Sequence, residues 1–289
     1  KKMNDLVSII INCHNGEKFL SRCLESVINQ TYENWEIIFW DNCSTDNSKK
    51  IFQRYNDGRF NYYKSDKLTN LSIARNLAIS KSKGKYVSFL DVDDYWEKNK
   101  ISSQISFFKN EDTCLIFSNF YFEKNFNKNK EISIKKKLPK NNMVNFFLSK
   151  YPVSISTVIF NKKIIKEHLF NEKYHCIGDF DFVMKTALSY QISGLNEPLV
   201  TVSIHEENET KKKFKLYILE LLNWYKSCDR KFLKFRNYKN YKFNIYYELA
   251  KCCLNEKKYR SLLIIFKILP FVYKIKITII FFIKLLKLN

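Results

Sequence analysis

Glycine is scarce in this chain, with five in 289 residues, and proline is scarcer at four. A linker-rich or disordered protein needs more of both, and an apolar fraction of 45% is enough for a packed core. No G-x-G-x-x-G and no G-x-x-x-x-G-K-[ST] occurs, so dinucleotide and P-loop chemistry lose support. A G-x-S-x-G elbow for a nucleophilic serine is missing as well. The eight cysteines (13, 23, 43, 114, 176, 228, 252, 253) show no zinc spacing. They read as buried free thiols, hence a reducing, cytoplasmic setting. Lys1-Lys2 lead into a strand pattern, so no signal peptide is expected at this start. No uncharged apolar run approaches the ~18–20 residues of a spanning helix.

Acidic residues are also few, 29 against 50 basic, and the imbalance is local. Residues 211–289 hold 20 Lys/Arg and 4 Asp/Glu, a net of +16 out of +21, which leaves +5 for the first 210. A basic tail beside a near-neutral domain points to an anionic partner, a membrane surface or a nucleic acid. The plainer alternative is the compositional bias of AT-rich coding DNA. The basic residues form no recognised nucleic-acid module, so a membrane surface is the expected partner and no nucleic acid is.

What is present is an alternation. Leu6–Asn12, Trp35–Trp40 and Tyr86–Leu90 are nearly continuous apolar runs, the pattern of parallel strands covered on both faces. Phe60–Ser65 is a shorter strand. Between them, Glu17–Gln30, Asn47–Tyr55 and Asn70–Ser80 have helical spacing, the last with Leu71, Ala74, Leu77 and Ala78 on one side. Strand, helix, strand at this spacing predicts an α/β fold with a parallel sheet. Further along, the pattern predicts a helix from Trp96 to about Lys109, strands over Thr113–Phe122, Ile155–Phe160 and Glu197–Ile204, and a polar loop over Glu123–Asn142. It also predicts helices at Asn145–Ser149, Ile164–Leu169 and from Gly178. From Lys211 the pattern is helical only: Phe214–Lys226, Tyr238–Leu254 and a lysine-dotted apolar stretch, Leu262–Leu288. That stretch reads as an interfacial helix or as one packed on the α/β domain.

The strand at Tyr86 runs into Asp91-Val92-Asp93-Asp94. Ligands sit at the carboxyl edge of parallel strands, and crowded acids repel unless a cation lies between them. Mg²⁺ takes few carboxylates and accepts phosphate oxygens, so the stretch reads as a seat for a metal–diphosphate. Asp94 alone could instead cap the helix expected near Trp96. Asp41 closes the second strand; it can accept from a base or ribose, or simply from its own Asx-turn. Arg75 can bind phosphate or form a surface ion pair. Asp179 is a candidate general base or a helix cap. His205, after the last strand, can ligate metal, contact phosphate or be structural.

Taken in order, these residues resemble the family 2 glycosyltransferases. Ile9–Leu20, with Asn12, His14 and Asn15, resembles that family's opening strand and turn. Asp41-Asn42-Cys43-Ser44-Thr45-Asp46 resembles its Asp-Asp-Gly-Ser-x-Asp turn, Ala74-Arg75-Asn76 its Ala-Arg-Asn helix, and Asp91-Val92-Asp93 its DxD motif. Asp179-Phe180-Asp181-Phe182 resembles the segment whose first Asp is the base in inverting members. The chain departs from the pattern at Asn12 (usually Pro), Asn42 (usually Asp) and Gly178 (usually Glu).

The resemblance implies a GT-A fold, Rossmann-like, with a mostly parallel sheet flanked by helices over 1–208. The nucleotide-sugar half would be about 1–95 and the acceptor half about 96–208, followed by the basic helical region 209–289. It implies inverting transfer from a nucleotide-diphosphate sugar, UDP-linked, to a glycan or lipid-linked acceptor in bacterial surface polysaccharide or glycoconjugate synthesis. The enzyme would be peripheral on the inner face of the cytoplasmic membrane. Asn12, His14, Asn15, Asp41, Arg75, Asp91 and Val92 would bind the donor. Asp93, Asp91 and His205 would hold Mn²⁺ or Mg²⁺, Asp179 would be the base, and Asp181, Ser156 and Thr157 would lie on the acceptor side. The rivals are a nucleotidyltransferase that makes the sugar nucleotide, for which Cys13-His14-Asn15-Gly16 is a poor phosphate loop, and a basic nucleic-acid- or membrane-binding protein. A catalytically inactive partner subunit is the third.

Overall fold

The computed structural model describes residues 4–109, 113–127, 129–166 and 169–286. Its contacts divide the chain into two units, Lys1–Met143 with Tyr151–Asn208, and Val144–Lys150 with Glu209–Asn289.

The first unit opens with β1 (Val7–Cys13), α1 (Glu17–Ile28), β2 (Trp35–Asp41), α2 (Ser48–Phe52), β3 (Phe60–Lys64), α3 (Leu71–Lys81) and β4 (Tyr86–Phe89). It continues with β5 (Tyr95–Trp96), α4 (Lys100–Ile105), β6 (Thr113–Lys124) and β7 (Lys130–Ile132). After α5 (Met143–Ser149), most of which belongs to the second unit, come β8 (Val158–Asn161), α6 (Gly178–Ser189) and β9 (Gln191–Ile204). One sheet runs in the order β3-β2-β1-β4-β8-β6-β9-β5, with β7 on β6. From β3 to β4 all pairs are parallel, as the alternation predicts. Beyond β4 the sheet is mixed: β8 is antiparallel to β4 and β6, while β6 and β9 run parallel.

Both faces of β1 and β2 are covered, which is why their sequences do not alternate. α1 packs Leu20, Cys23, Leu24 and Val27 beneath one face. On α3 the Asn70 side chain caps the helix by accepting from Ile73 N at 2.9 Å. Its buried stripe is Ser72, Ala74, Arg75, Ala78 and Ile79, not the expected leucines: Leu71 and Leu77 are exposed. The helix is therefore turned so that an arginine faces inward.

Several other expectations shift. The helix expected from Trp96 begins at Lys100, because Tyr95-Trp96 pair with Thr201 and Val200 as a short strand. Residues Ile155–Thr157 form a 3-10 turn before β8, and Lys130–Ile132 form a strand inside the expected loop. A 3-10 turn covers Lys162–Lys166; residues 167–168 of the predicted short helix lie outside the described residues, as do 287–288 of the C-terminal stretch.

Two positions in this unit carry stability predictions. At Gly84 an added Cβ would lie 2.6 Å from Ser8 N and 2.7 Å from Leu6 O, backbone atoms that cannot step aside. Gly84→Ala is expected to cost about 1–3 kcal/mol or more, seen as a lower urea midpoint at unchanged m. Lys100 is fully buried, with Nζ donating to Ser88 Oγ at 2.6 Å and lying 3.8 Å from the Trp96 ring centre. A cation over an aromatic face gains at most ~2 kcal/mol, whereas burying an ammonium costs several. Desolvation therefore wins and pushes the amine far below its usual range. The depressed value means stability is lost as pH falls from the unfolded-state value of 10.5 toward the folded one. Ser88 Oγ already donates to Val158 O, so it stays satisfied without the lysine. Lys100→Met is expected to raise Tm by several degrees at pH 7, with the gain shrinking toward pH 10. Calorimetry at the two pH values checks it.

The second unit gathers Val144–Lys150, α7 (Glu209–Lys212), α8 (Phe214–Ser227), α9 (Tyr238–Asn255), α10 (Tyr259–Ile268) and α11 (Phe271–Leu286). Trp224 packs edge-on against Phe232 and Tyr241, and Asn237 Nδ2 donates to Asn145 O at 2.8 Å. Pro270, without an N–H, breaks the expected single C-terminal helix into α10 and α11. Among the described residues no helix is long and apolar enough to cross a membrane.

Candidate active site

β4 ends at Phe89, and the chain turns with Asp94 N donating to Asp91 O at 3.0 Å. This turn separates the three acids. Asp91 and Asp93 face outward, with side chains 38% and 22% exposed. Asp94 points inward and is only 3% exposed; its oxygens accept from Ser156 Oγ at 2.7 Å and Ser203 N at 3.0 Å. Burial, then the charges of Asp93 and Asp91, push its carboxyl well up. Asp94 is thus neither a cap of a following helix nor part of an outward-facing cluster.

The two outward acids are held by different groups. Asp91 N donates to Ser156 Oγ at 3.1 Å, and Arg75 Nη2 reaches Asp91 Oδ1 at 3.3 Å. Asp93 Oδ2 lies 3.0 Å from His205 Nε2 and accepts from Asn208 Nδ2 at 3.1 Å. Burial and then the neighbouring Asp91 push the Asp93 carboxyl up, while the bond to His205 draws it back. Beneath the turn, Arg22 Nη2 and Ser203 Oγ donate to Asp93 O at 3.0 and 2.7 Å. Arg22 in turn pairs with buried Glu123 at 3.0 Å and stacks 4.3 Å over Tyr95. Val92 packs over Gly16, where a Cβ would come within 2.8 Å of its methyl.

Arg75 is 4% exposed, with its guanidinium beside the edge-on pair of Phe89 and Phe170, 5.7 and 5.4 Å from their ring centres. It acts on two acids, since its charge also lowers the Asp179 carboxyl, against the larger upward push of burial and the charge of Asp91. Asp179 stands in the first turn of α6 and accepts from Phe180 N at 2.8 Å. The helix can come this close because residue 178 is glycine: a Cβ there would collide with Ser72 Oγ on α3. The site thus brings together Asp91, Arg75 and Asp179 on one side and Asp93, His205 and Asn208 on the other.

The loops after β1 and β2 are laced to each other. Asn15, at φ 55°, accepts from Thr45 N at 2.8 Å, and Gly16 N donates to Ser48 Oγ at 2.9 Å. His14 Nδ1 lies 3.0 Å from Asn42 O. Asp41 is 1% exposed and accepts from Ser44 N at 2.7 Å and from the Tyr62 hydroxyl. It closes its own turn, so a ligand would meet it beside Tyr62 rather than as an open carboxylate. Asn12 Nδ2, Trp40 Nε1 and Arg75 Nε are buried without a partner.

The residues expected on the acceptor side are held by contacts within the protein. Asp181 is buried and paired with Lys185 at 2.7 Å, and Thr157 is buried with Oγ1 donating to Ser154 O at 2.6 Å. Ser156 bridges Asp91 and Asp94 from beneath. His205, expected as a ligand, has Nε2 on Asp93, while its Nδ1 is buried without a partner. Arg22, Glu123, Ser203 and Asn208 have no local sequence signal. A groove of about 740 Å³ lined by Ser103, Phe107, Lys137, Lys140, Gln191 and Glu197, among others, includes none of the carboxylate-site residues.

This mixed α/β unit sets its outward carboxylates after the fourth strand, at the carboxyl edge where open α/β sheets bind ligands. Residues 8–189 match Glycosyl transferase family 2, well over half the chain. The chain belongs to that family. It is 42% identical over 122 residues to the Escherichia coli UDP-Glc:alpha-D-GlcNAc-diphosphoundecaprenol beta-1,3-glucosyltransferase WfaP, covering 42% of this chain and 49% of that protein. The chain spans about half the length of the curated relatives it matches first. S. aureus TarS 1-349 in complex with UDP-GlcNAc is similar in structure, with TM-score 0.64, 20% identity, and 85% and 70% of the two chains covered. The mannosyltransferase PcManGT from Pyrobaculum calidifontis, in complex with GDP-Man and Mn2+, matches with TM-score 0.63, 15% identity, and 94% and 83% covered. The fold is GT-A.

Proposed function

We propose that this glycosyltransferase moves a sugar from a UDP-linked donor to a hydroxyl of a glycan or lipid-linked acceptor, with inversion, in bacterial surface polysaccharide assembly. The observation that carries this reading is the juxtaposition of Asp91, Arg75 and Asp179 at the carboxyl edge of the parallel strands. Asp179, its carboxyl raised by burial, takes the proton of the acceptor hydroxyl as that oxygen attacks the anomeric carbon. Attack from the face opposite the departing diphosphate inverts the centre. Arg75, packed beside two rings, offers its guanidinium to the diphosphate, and its unpartnered Nε and Asn12 Nδ2 are donors in want of an acceptor. The UDP preference rests on the substrate printed in the name of the WfaP relative.

The residues fit a divalent cation. Among the described residues no three His, Cys, Asp or Glu side chains converge as a metal cage, but Mg²⁺ and Mn²⁺ at phosphates do not need one. Asp91 Oδ2 and Asp93 Oδ1 are left over as acceptors, and of the two causes that raise Asp93, burial first and the charge of Asp91 second, a cation relieves the second. Asp93 and Asp91 would hold the ion, with His205 and Asn208 orienting Asp93 from behind. When bound, the ion supplies positive charge to the departing diphosphate.

A panel of UDP- and GDP-sugars, with and without Mn²⁺, tests the reading, and NMR of the product gives the anomeric configuration. Metal-dependent, inverting transfer from a UDP-sugar is expected. Formation of a sugar nucleotide from nucleoside triphosphate and sugar phosphate would replace it with the nucleotidyltransferase reading.

A further inference from the structure

We infer that α11 lays its outward face on an anionic phospholipid bilayer. Phe271, Val272, Ile275, Ile279, Phe282 and Ile283 are 44–76% exposed. At about 100° per residue they fall within one arc of roughly 120°. Scattered exposed apolar residues are ordinary; six large ones on one helical face are not.

The exposure does not come from a helix without a seat. The opposite side of α11 is docked within its unit. Ile277 is buried in a cluster with Ala250, Leu254, Leu262, Ile265 and Leu269, and the Tyr273 hydroxyl donates to Asn244 Oδ1 at 2.5 Å. The rotation of the helix is therefore set, and the arc is turned outward. Lys276, exposed, borders it, and α10 adds exposed Leu263 and Ile264 together with Lys267.

Charge selects the occupant. Residues 257–289 hold eight Lys/Arg and no acid. A second copy of a chain with net charge +21 would bring the same cations to the contact, whereas a bilayer with anionic headgroups brings the opposite sign. α11 has 16 residues, about 24 Å, too short for a ~30 Å hydrocarbon core, so it lies along the interface. The apolar chains enter the headgroup boundary while the lysine stems let their ammonium groups stay with the phosphates. This inference is independent of the active-site reading, because it is tested by binding alone.

Flotation of the full chain with vesicles of phosphatidylcholine alone, or mixed with phosphatidylglycerol, tests it. Binding is expected to the mixed vesicles only, and to fall steeply with salt. Ile275→Ser/Ile279→Ser/Phe282→Ser should abolish it. Lys267→Gln/Lys274→Gln/Lys276→Gln should weaken it about 100-fold, at roughly fivefold per lysine. Both sets lie on the surface, and an unchanged unfolding temperature confirms that the variants fold. Equal binding to neutral vesicles, no binding to either, or serine variants that bind as well as the parent would overturn the inference. So would a dimer of the parent that the serine set dissociates, since a second copy would then be the occupant.

Discussion

Asp179→Asn is expected to lower the transfer rate about 10²–10⁴-fold while leaving donor binding within a few-fold of the parent. The replacement keeps the shape and can still accept from Phe180 N, so the start of α6 is preserved. What it cannot do is take a proton. The pH profile gives a second, independent readout. Burial raises the Asp179 carboxyl above its usual 3.8, and Arg75 limits the rise. A base must be ionised, so the parent rate should climb with pH through a limb above 3.8, and that limb should vanish in the variant. The stability sign is opposite. A carboxyl whose folded-state value is raised contributes stability below its unfolded value and loses it as pH rises through the folded one. At neutral pH the asparagine variant should therefore be no less stable than the parent. A variant that transfers at the parent rate would remove Asp179 as the base.

Asp93→Ala is expected to cost about 10³-fold in turnover, the scale of losing a group that stabilises charge on the leaving side. Arg22, Ser203 and the turn itself bind the backbone at residue 93, so the loop should keep its place. Only the carboxylate is lost, together with its bonds to His205 and Asn208. The distinguishing sign is the metal response: added Mn²⁺ should no longer raise the affinity for UDP. Full turnover, or a variant that still responds to Mn²⁺ as the parent does, would sink the assignment of Asp93.

The strands β1 to β4 and the helices between them are legible because each is a local pattern. Buried parallel strands read as unbroken apolar runs, and α1 shows its stripe at helical spacing. Asp91, Asp93 and Asp179 are legible for the same reason, each following or opening such an element, whereas Arg75 lies inside α3. The residues that hold them are not. Arg22, on α1, reaches Asp93 O across 71 residues, and Ser203 reaches it across 110 because β9 pairs with β5 just after the turn. No window of sequence contains both partners. Asp94 shows the same limit, since one acid among three turns inward only because Ser156 and Ser203 wait there. On α3 the leucines mislead, because the inward side is reserved for Arg75 and for Ser72 under Gly178. The break at Pro270 is different: its signal is in the sequence and hydrophobic density masks it.

The departures from the family pattern acquire local causes. Asn42 donates Nδ2 to Thr69 O at 2.8 Å while its Oδ1 accepts from Thr69 N at 3.1 Å. An aspartate at that position could do only the second. Gly178 is where α6 meets Ser72, and any side chain there would push the Ser72 hydroxyl off its bond to Tyr174 O. Asn12, in place of proline, contributes an amide that has no protein partner. These three positions adjoin the residues proposed to bind the donor and to act as base.

The most direct measurement is calorimetric titration of UDP into the full chain, with and without Mn²⁺. Two acids that grip a cation for a diphosphate should make binding at least about tenfold tighter with the ion, a difference of 1.4 kcal/mol. Equal affinity in the presence and absence of metal would contradict the account.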